Sequence, residues 1–72
     1  MKERILELLT EALPAVDFES DFLFSELDSL GIVTILLILS AEYQIELGTT
    51  DVTPRNFKTI DTIVAMVESK LN

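Results

Sequence analysis

The chain of 72 residues contains no cysteine and no histidine, only two glycines and two prolines, and five basic residues against thirteen acidic ones. Each shortage closes off a class of chemistry. Without cysteine no disulfide supports the fold, and the chain has no thiol of its own. Without cysteine and histidine together, Cys/His zinc sites and histidine-based triads are excluded. A disulfide-free small domain suits the cytoplasm, which is the expected location. At a net charge of −8 the surface lacks the basic footprint that a phosphate backbone requires, so no nucleic-acid partner is expected. A basic protein surface fits the acidic field better. The same acids also serve simply to keep a small domain soluble and monomeric, and a monomer is expected.

Long apolar runs are missing as well. The longest aliphatic region, Leu30 to Leu39, is about half a membrane span and is interrupted by Gly31 and Thr34, so no membrane span is expected. Met1 to Leu13 is amphipathic rather than a charged tip followed by an apolar block, which is not the pattern of a signal peptide. With no repeat, linker or low-complexity tract, residues 1–72 read as a single domain with a modest core.

What is present is helical periodicity. In residues 2–13, Ile5, Leu8, Leu9, Ala12 and Leu13 recur at three- and four-residue spacing, with Glu3, Glu7 and Glu11 on another side; Pro14 ends the run. Residues 14–28 have no sustained period. A structureless loop of that length is unusual in a small domain. Its Phe18, Phe22, Leu23, Phe24 and Leu27 suggest a segment pinned onto the core, with room for a short helical turn. Residues 29–44 form a second helix, capped by Asp28 or Ser29 and aliphatic over more than one face. Its β-branched residues suit a strand too, but its length and the Ala41-Glu42-Tyr43 ending favour a buried helix. Thr53-Pro54 is a helix-start signature, which predicts a third helix of about one turn over Arg55–Lys58. Residues 59–71 make the last helix, with Ile60, Ile63, Val64, Val67 and Leu71 inward, and Asp61 and Lys70 suit its dipole. The expected fold is therefore all-α: a four-helix bundle with three longer helices, a short third helix and a long loop between helices 1 and 2.

Two sites invite chemistry. Asp17, Glu19, Asp21, Ser25 and Asp28 fall on positions 1, 3, 5, 9 and 12 of a calcium-loop frame. Position 6 needs a glycine for its sharp turn, and Phe22 stands there, so no specific metal site is expected. Ser29, at the head of the aliphatic helix, fails as a hydrolytic nucleophile for want of a base: there is no histidine, and the nearest lysines in sequence are Lys2 and Lys58. Nothing singles out a catalytic pair of carboxylates, and no enzyme is expected. Ser29 is then either a helix cap or a place where something is attached.

The segment "DSLGIVTILLILSAEYQIEL", Asp28 to Leu47, followed by "TPRNF" at 53–57, resembles the acyl and peptidyl carrier protein family, and the order and lengths of all four segments agree. The resemblance implies that Ser29 of Asp28-Ser29-Leu30 carries a covalent 4′-phosphopantetheine arm. It also implies a phosphopantetheinyl transferase that installs the arm from coenzyme A with magnesium, the Ser29 oxygen attacking the β-phosphate. The arm's thiol would hold acyl or aminoacyl cargo as a thioester, and loading and condensing enzymes would be the other partners. The residues suit that role, because a helix N-terminus favours a phosphate through free N–H groups and the dipole. Gly31 leaves little bulk beside such an arm. The alternative is an acidic helical interaction module without a prosthetic group.

The flanks depart from the family's pattern. Ser25, Glu26 and Leu27 stand where many members have a glycine. On the outer face of the second helix, where fatty-acid carriers often bear several acids, Thr34, Ser40 and Ala41 leave only Glu42 acidic, although Glu7 through Asp51 holds ten acids and no base. Partner docking is expected on the apolar Leu30, Val33 and Leu37 with acids Glu26, Asp28 and Glu42; core packing is the competing role for the three aliphatics. A thinned acidic face points to a specialised fatty-acid, polyketide or nonribosomal peptide pathway. Either a core that opens to hold a fatty chain or a filled core fits the residues.

Overall fold

A computed structural model describes residues 1–72. The periodic segments become helices α1 (Lys2–Ala12), α3 (Ser29–Tyr43) and α4 (Ile60–Leu71), and the first connection contains one helical turn, α2 (Leu23–Glu26). No helix is long and apolar enough to cross a membrane.

The three longer helices pack pairwise against one another. Ile5 and Leu9, one turn apart on α1, are fully buried, as are Ile35 and Leu39 on α3 and Ile63 and Val67 on α4. Burying a side chain of this size contributes about 1.5–3 kcal/mol, and six at 0 % exposure set the mutual register of the helices. Leu23 of α2 and two aromatics from the connections, Phe18 and Phe57, close the core.

The long first connection is pinned down, as its apolar content predicts. Phe18 is buried, and the Leu23 N–H donates to the Lys58 carbonyl at 3.0 Å, which ties α2 to the turn before α4. Phe22 is a correction to that reading: it is 74 % exposed.

An all-α bundle of three longer helices and one short one is what forms, but the short helix precedes the central one. The expected short third helix over Arg55–Lys58 is a single turn: the Thr53 hydroxyl accepts the Asn56 N–H at 3.0 Å and the Thr53 carbonyl accepts the Phe57 N–H at 3.1 Å. It stops there because Thr59 is extended (φ −142°, ψ 169°) in order to cap α4. The Thr59 hydroxyl accepts the Thr62 N–H at 3.2 Å and the Thr62 hydroxyl accepts the Thr59 N–H at 3.0 Å, a reciprocal cap.

α3 ends without a glycine. Gln44 takes the left-handed conformation (φ 52°) and its N–H reaches the Ser40 carbonyl. A 3₁₀ turn, Thr49–Asp51, follows; the Asp51 carboxylate accepts the Gly48 N–H at 3.0 Å and pairs with Lys70 of α4 at 3.0 Å. The Gly48 hydrogen bond first, and Lys70 second, hold the Asp51 carboxyl below its ordinary range.

Candidate functional site

The chain enters α3 through two extended residues, Leu27 (φ −102°, ψ 133°) and Asp28 (φ −93°, ψ 177°). The Asp28 carboxylate turns back and accepts the Gly31 N–H at 2.7 Å, and the Asp28 carbonyl accepts the Ile32 N–H at 3.0 Å. Asp28 is thus the cap, which resolves the choice between it and Ser29. Ser29 is the first residue of the helix and is exposed. Its hydroxyl makes no hydrogen bond within the chain, and the N–H groups of Ser29 and Leu30 find no acceptor there.

The other serines differ. Ser20 accepts the Phe22 N–H at 3.0 Å, Ser25 donates to the Phe22 carbonyl at 2.7 Å, and Ser69 donates to the Met66 carbonyl at 2.7 Å. Ser40 is half-buried late in α3. Ser29 alone combines exposure, an unbonded hydroxyl and a helix start. A phosphoester on that oxygen would meet two free N–H groups and the positive end of a 15-residue helix.

Gly31 acts differently from expectation. It is buried, and a Cβ on it would lie 3.2 Å from Asp28 Oδ1, 3.7 Å from Leu27 Cδ2 and 3.8 Å from Leu13 Cδ1. Its smallness makes room for the capping carboxylate beneath the helix end, not for a group beside Ser29.

The three aliphatics expected at a docking surface lie outside the core. Leu30 is 73 % exposed, Val33 48 % and Leu37 67 %, in one outward line of α3 at three- and four-residue spacing. Thr34 beside them turns its hydroxyl to the Leu30 carbonyl at 2.8 Å. Glu26 is exposed, and its carboxylate accepts the Asp17 N–H at 3.3 Å. Glu42 is tied down: Arg4 Nε reaches its Oε2 at 3.1 Å, while the same guanidinium also binds Glu7. The Glu42 contact first, then the Glu7 one, raises the Arg4 pKa above its usual value. The middle of the outward face of α3 is therefore neutral and apolar.

The calcium-loop acids gather no metal site, since no cluster of three or more carboxylates has ligating geometry. Sequence reasoning missed two features: Phe22, whose aromatic character alone pointed inward beside the exposed Asp21, and Leu71, expected inward but 45 % exposed at the end of α4.

The helical bundle thus presents one exposed, unbonded serine hydroxyl at the open end of its central helix. Residues 1–68 match the family model described as a phosphopantetheine attachment site, and the chain belongs to that family, whose members carry 4′-phosphopantetheine covalently on a serine. Searches of curated proteins and of solved structures gave no match.

Proposed function

We infer that Ser29 is the attachment serine and that the chain serves as an acyl or aminoacyl carrier. The observation that carries this reading is the exposed, unbonded Ser29 hydroxyl at the first position of α3, with capping delegated to Asp28. The arm, once attached, supplies a thiol that holds cargo as a thioester. The chain's own residues anchor the phosphate end and present the surface that partner enzymes read. Nothing in it performs bond-making on the cargo; a phosphopantetheinyl transferase would form the Ser29 Oγ–phosphorus bond, with 3′,5′-ADP leaving from coenzyme A. Asp28 closes the helix start by accepting the Gly31 N–H, which leaves the Ser29 oxygen free of a capping role.

Loading and condensing enzymes would dock on Leu30, Val33 and Leu37, with Glu26 and Asp28 at the serine end. Of the three docking acids only Glu42 is in an ion pair, with Arg4, whereas Glu26 and Asp28 accept only backbone N–H groups. Such a surface recognises partners more by apolar fit than by charge, which favours a specialised fatty-acid, polyketide or nonribosomal peptide assembly over a system that relies on an acidic helix.

Intact mass after incubation with a broad-specificity phosphopantetheinyl transferase, magnesium and coenzyme A tests the assignment. One added phosphopantetheine is expected on the wild type and none on Ser29→Ala. An unmodified wild type would leave an acidic interaction module as the reading.

A further inference from the structure

Phe57 is fully buried and anchors the turn that precedes α4. Hydrogen bonds hold that turn from several sides. The Thr53 carbonyl accepts the Phe57 N–H at 3.1 Å, Asn56 Nδ2 donates to the Asp51 carbonyl at 2.9 Å, and the Lys58 carbonyl accepts the Leu23 N–H at 3.0 Å. With Phe57 inward, Pro54, Arg55 and Lys58 are exposed. Arg55 and Lys58 are three residues apart, so one fixed turn carries both cations outward.

Their charge stands out against the rest of the chain. Lys2 pairs with Asp61, Arg4 with Glu42 and Glu7, and Lys70 with Asp51. Arg55 and Lys58 pair with no carboxylate, although the chain has thirteen acids. Asp21 lines the same open cleft as Lys58 and still makes no ion pair with it. Two cations on a rigid turn, without internal partners, are preorganised for an external one. Phe22 also lines that cleft and is 74 % exposed. A large aromatic side chain left in water is a natural centre for an interface. A cation beside an exposed aromatic complements a carboxylate beside an apolar side chain.

The sign of the charge decides the kind of partner. The net charge of −8 attracts basic surfaces to the chain as a whole. Arg55 and Lys58 oppose a surface that is basic throughout, because like charges brought together at an interface weaken binding. A surface that covers this turn favourably therefore presents acids to it.

We propose that Phe22, Arg55 and Lys58 form a second docking surface, opposite in sign to Glu26 and Asp28, that receives an acidic and apolar segment of a partner protein. Carboxylates of the segment pair with Arg55 and Lys58, and an aliphatic or aromatic side chain lies against Phe22. Together the two surfaces give the chain a docking footprint of mixed sign, which admits a partner in one orientation. The surface goes beyond the carrier reading and does not depend on an arm at Ser29.

The test uses the unmodified full chain and two short blocked peptides. One has two leucines between glutamates; the other has lysines in place of the glutamates. Amide chemical shifts are followed as each is added. The glutamate peptide should move Phe22, Arg55 and Lys58, against the net charge of the chain, and the lysine peptide should not. Lys58→Glu should weaken the glutamate peptide by about three-fold, Lys58→Arg should keep its affinity, and raised salt should erase the difference between wild type and Lys58→Glu. Phe22→Ser should weaken it at every salt concentration. Thermal melting checks that these surface variants remain folded. No shift at the three residues with the glutamate peptide, equal affinity in wild type and Lys58→Glu, or stronger binding there of the lysine peptide would each overturn the surface. None of these results touches attachment at Ser29, which intact mass tests separately.

Discussion

Asp28 Oδ1 accepts the Gly31 N–H at 2.7 Å, directly over the start of the central helix. This bond separates two duties that the sequence leaves merged in Asp28-Ser29. The carboxylate closes the helix end, and the neighbouring hydroxyl stays free.

The separation predicts opposite outcomes for adjacent substitutions. Asp28→Ala should lower stability by about 1 kcal/mol, the usual worth of a cap, measured by urea unfolding. Ser29→Ala should change stability by less than about 0.5 kcal/mol, since its hydroxyl bonds nothing, while abolishing uptake of phosphopantetheine. A Ser29→Ala variant as destabilised as Asp28→Ala would mean that the serine shares the capping.

Leu37 and Leu39 lie two residues apart on α3 and should respond differently. Leu39, fully buried, should cost about 2–5 kcal/mol on substitution by alanine. Leu37, 67 % exposed, should cost little in stability, yet Leu37→Asp should slow loading by partner enzymes. Loading rates measured on the folded variant check this, and an unchanged rate would remove Leu37 from the docking surface.

Charge reversal at the two proposed docking acids should not be equivalent. Glu26→Lys should slow loading, and the difference from wild type should shrink as salt is raised. Glu42→Lys should act more weakly on loading and instead disturb the contact with Arg4, a solvent-screened surface ion pair of small weight. Equal, salt-dependent effects at both sites would restore Glu42 to the docking face.

Asp51 predicts a pH dependence. Its carboxyl is held below its ordinary value of 3.8 by the Gly48 N–H and by Lys70. A depressed folded-state pKa contributes stability that is full above the unfolded value and is lost as pH falls through the folded one. Unfolding free energy should therefore decline below about pH 4, and Asp51→Asn should flatten part of that decline while lowering stability at pH 7. Urea titrations from pH 7 to pH 2 give both slopes.

The three long helices were legible because their burial is periodic: Ile5 and Leu9, or Ile63 and Val67, announce a face by spacing alone. The Pro14 stop and the Thr59 start are local chemistry, and both lie within a residue of where they were read. Other features were not local. Thr53-Pro54 starts a turn as it should, but the turn cannot propagate because Thr59 must be extended to cap α4 and the Lys58 carbonyl is engaged by Leu23. The end of α3 at Gln44 has no glycine to mark it.

By itself the sequence determined the helical class, the acidic balance and the serine at the head of the central helix, because composition, period and capping residues act over a few positions. It could not say which side of an all-apolar helix faces water. Leu30, Val33 and Leu37 look like Ile35, Leu36 and Leu39 until α1 and α4 cover one side and leave the other open. The tertiary structure made that choice. It also turned Glu42 toward Arg4, placed Gly31 under the Asp28 cap and left Phe22 beside an unpaired lysine. These are outcomes of packing between segments distant in the chain, and no local pattern encodes them.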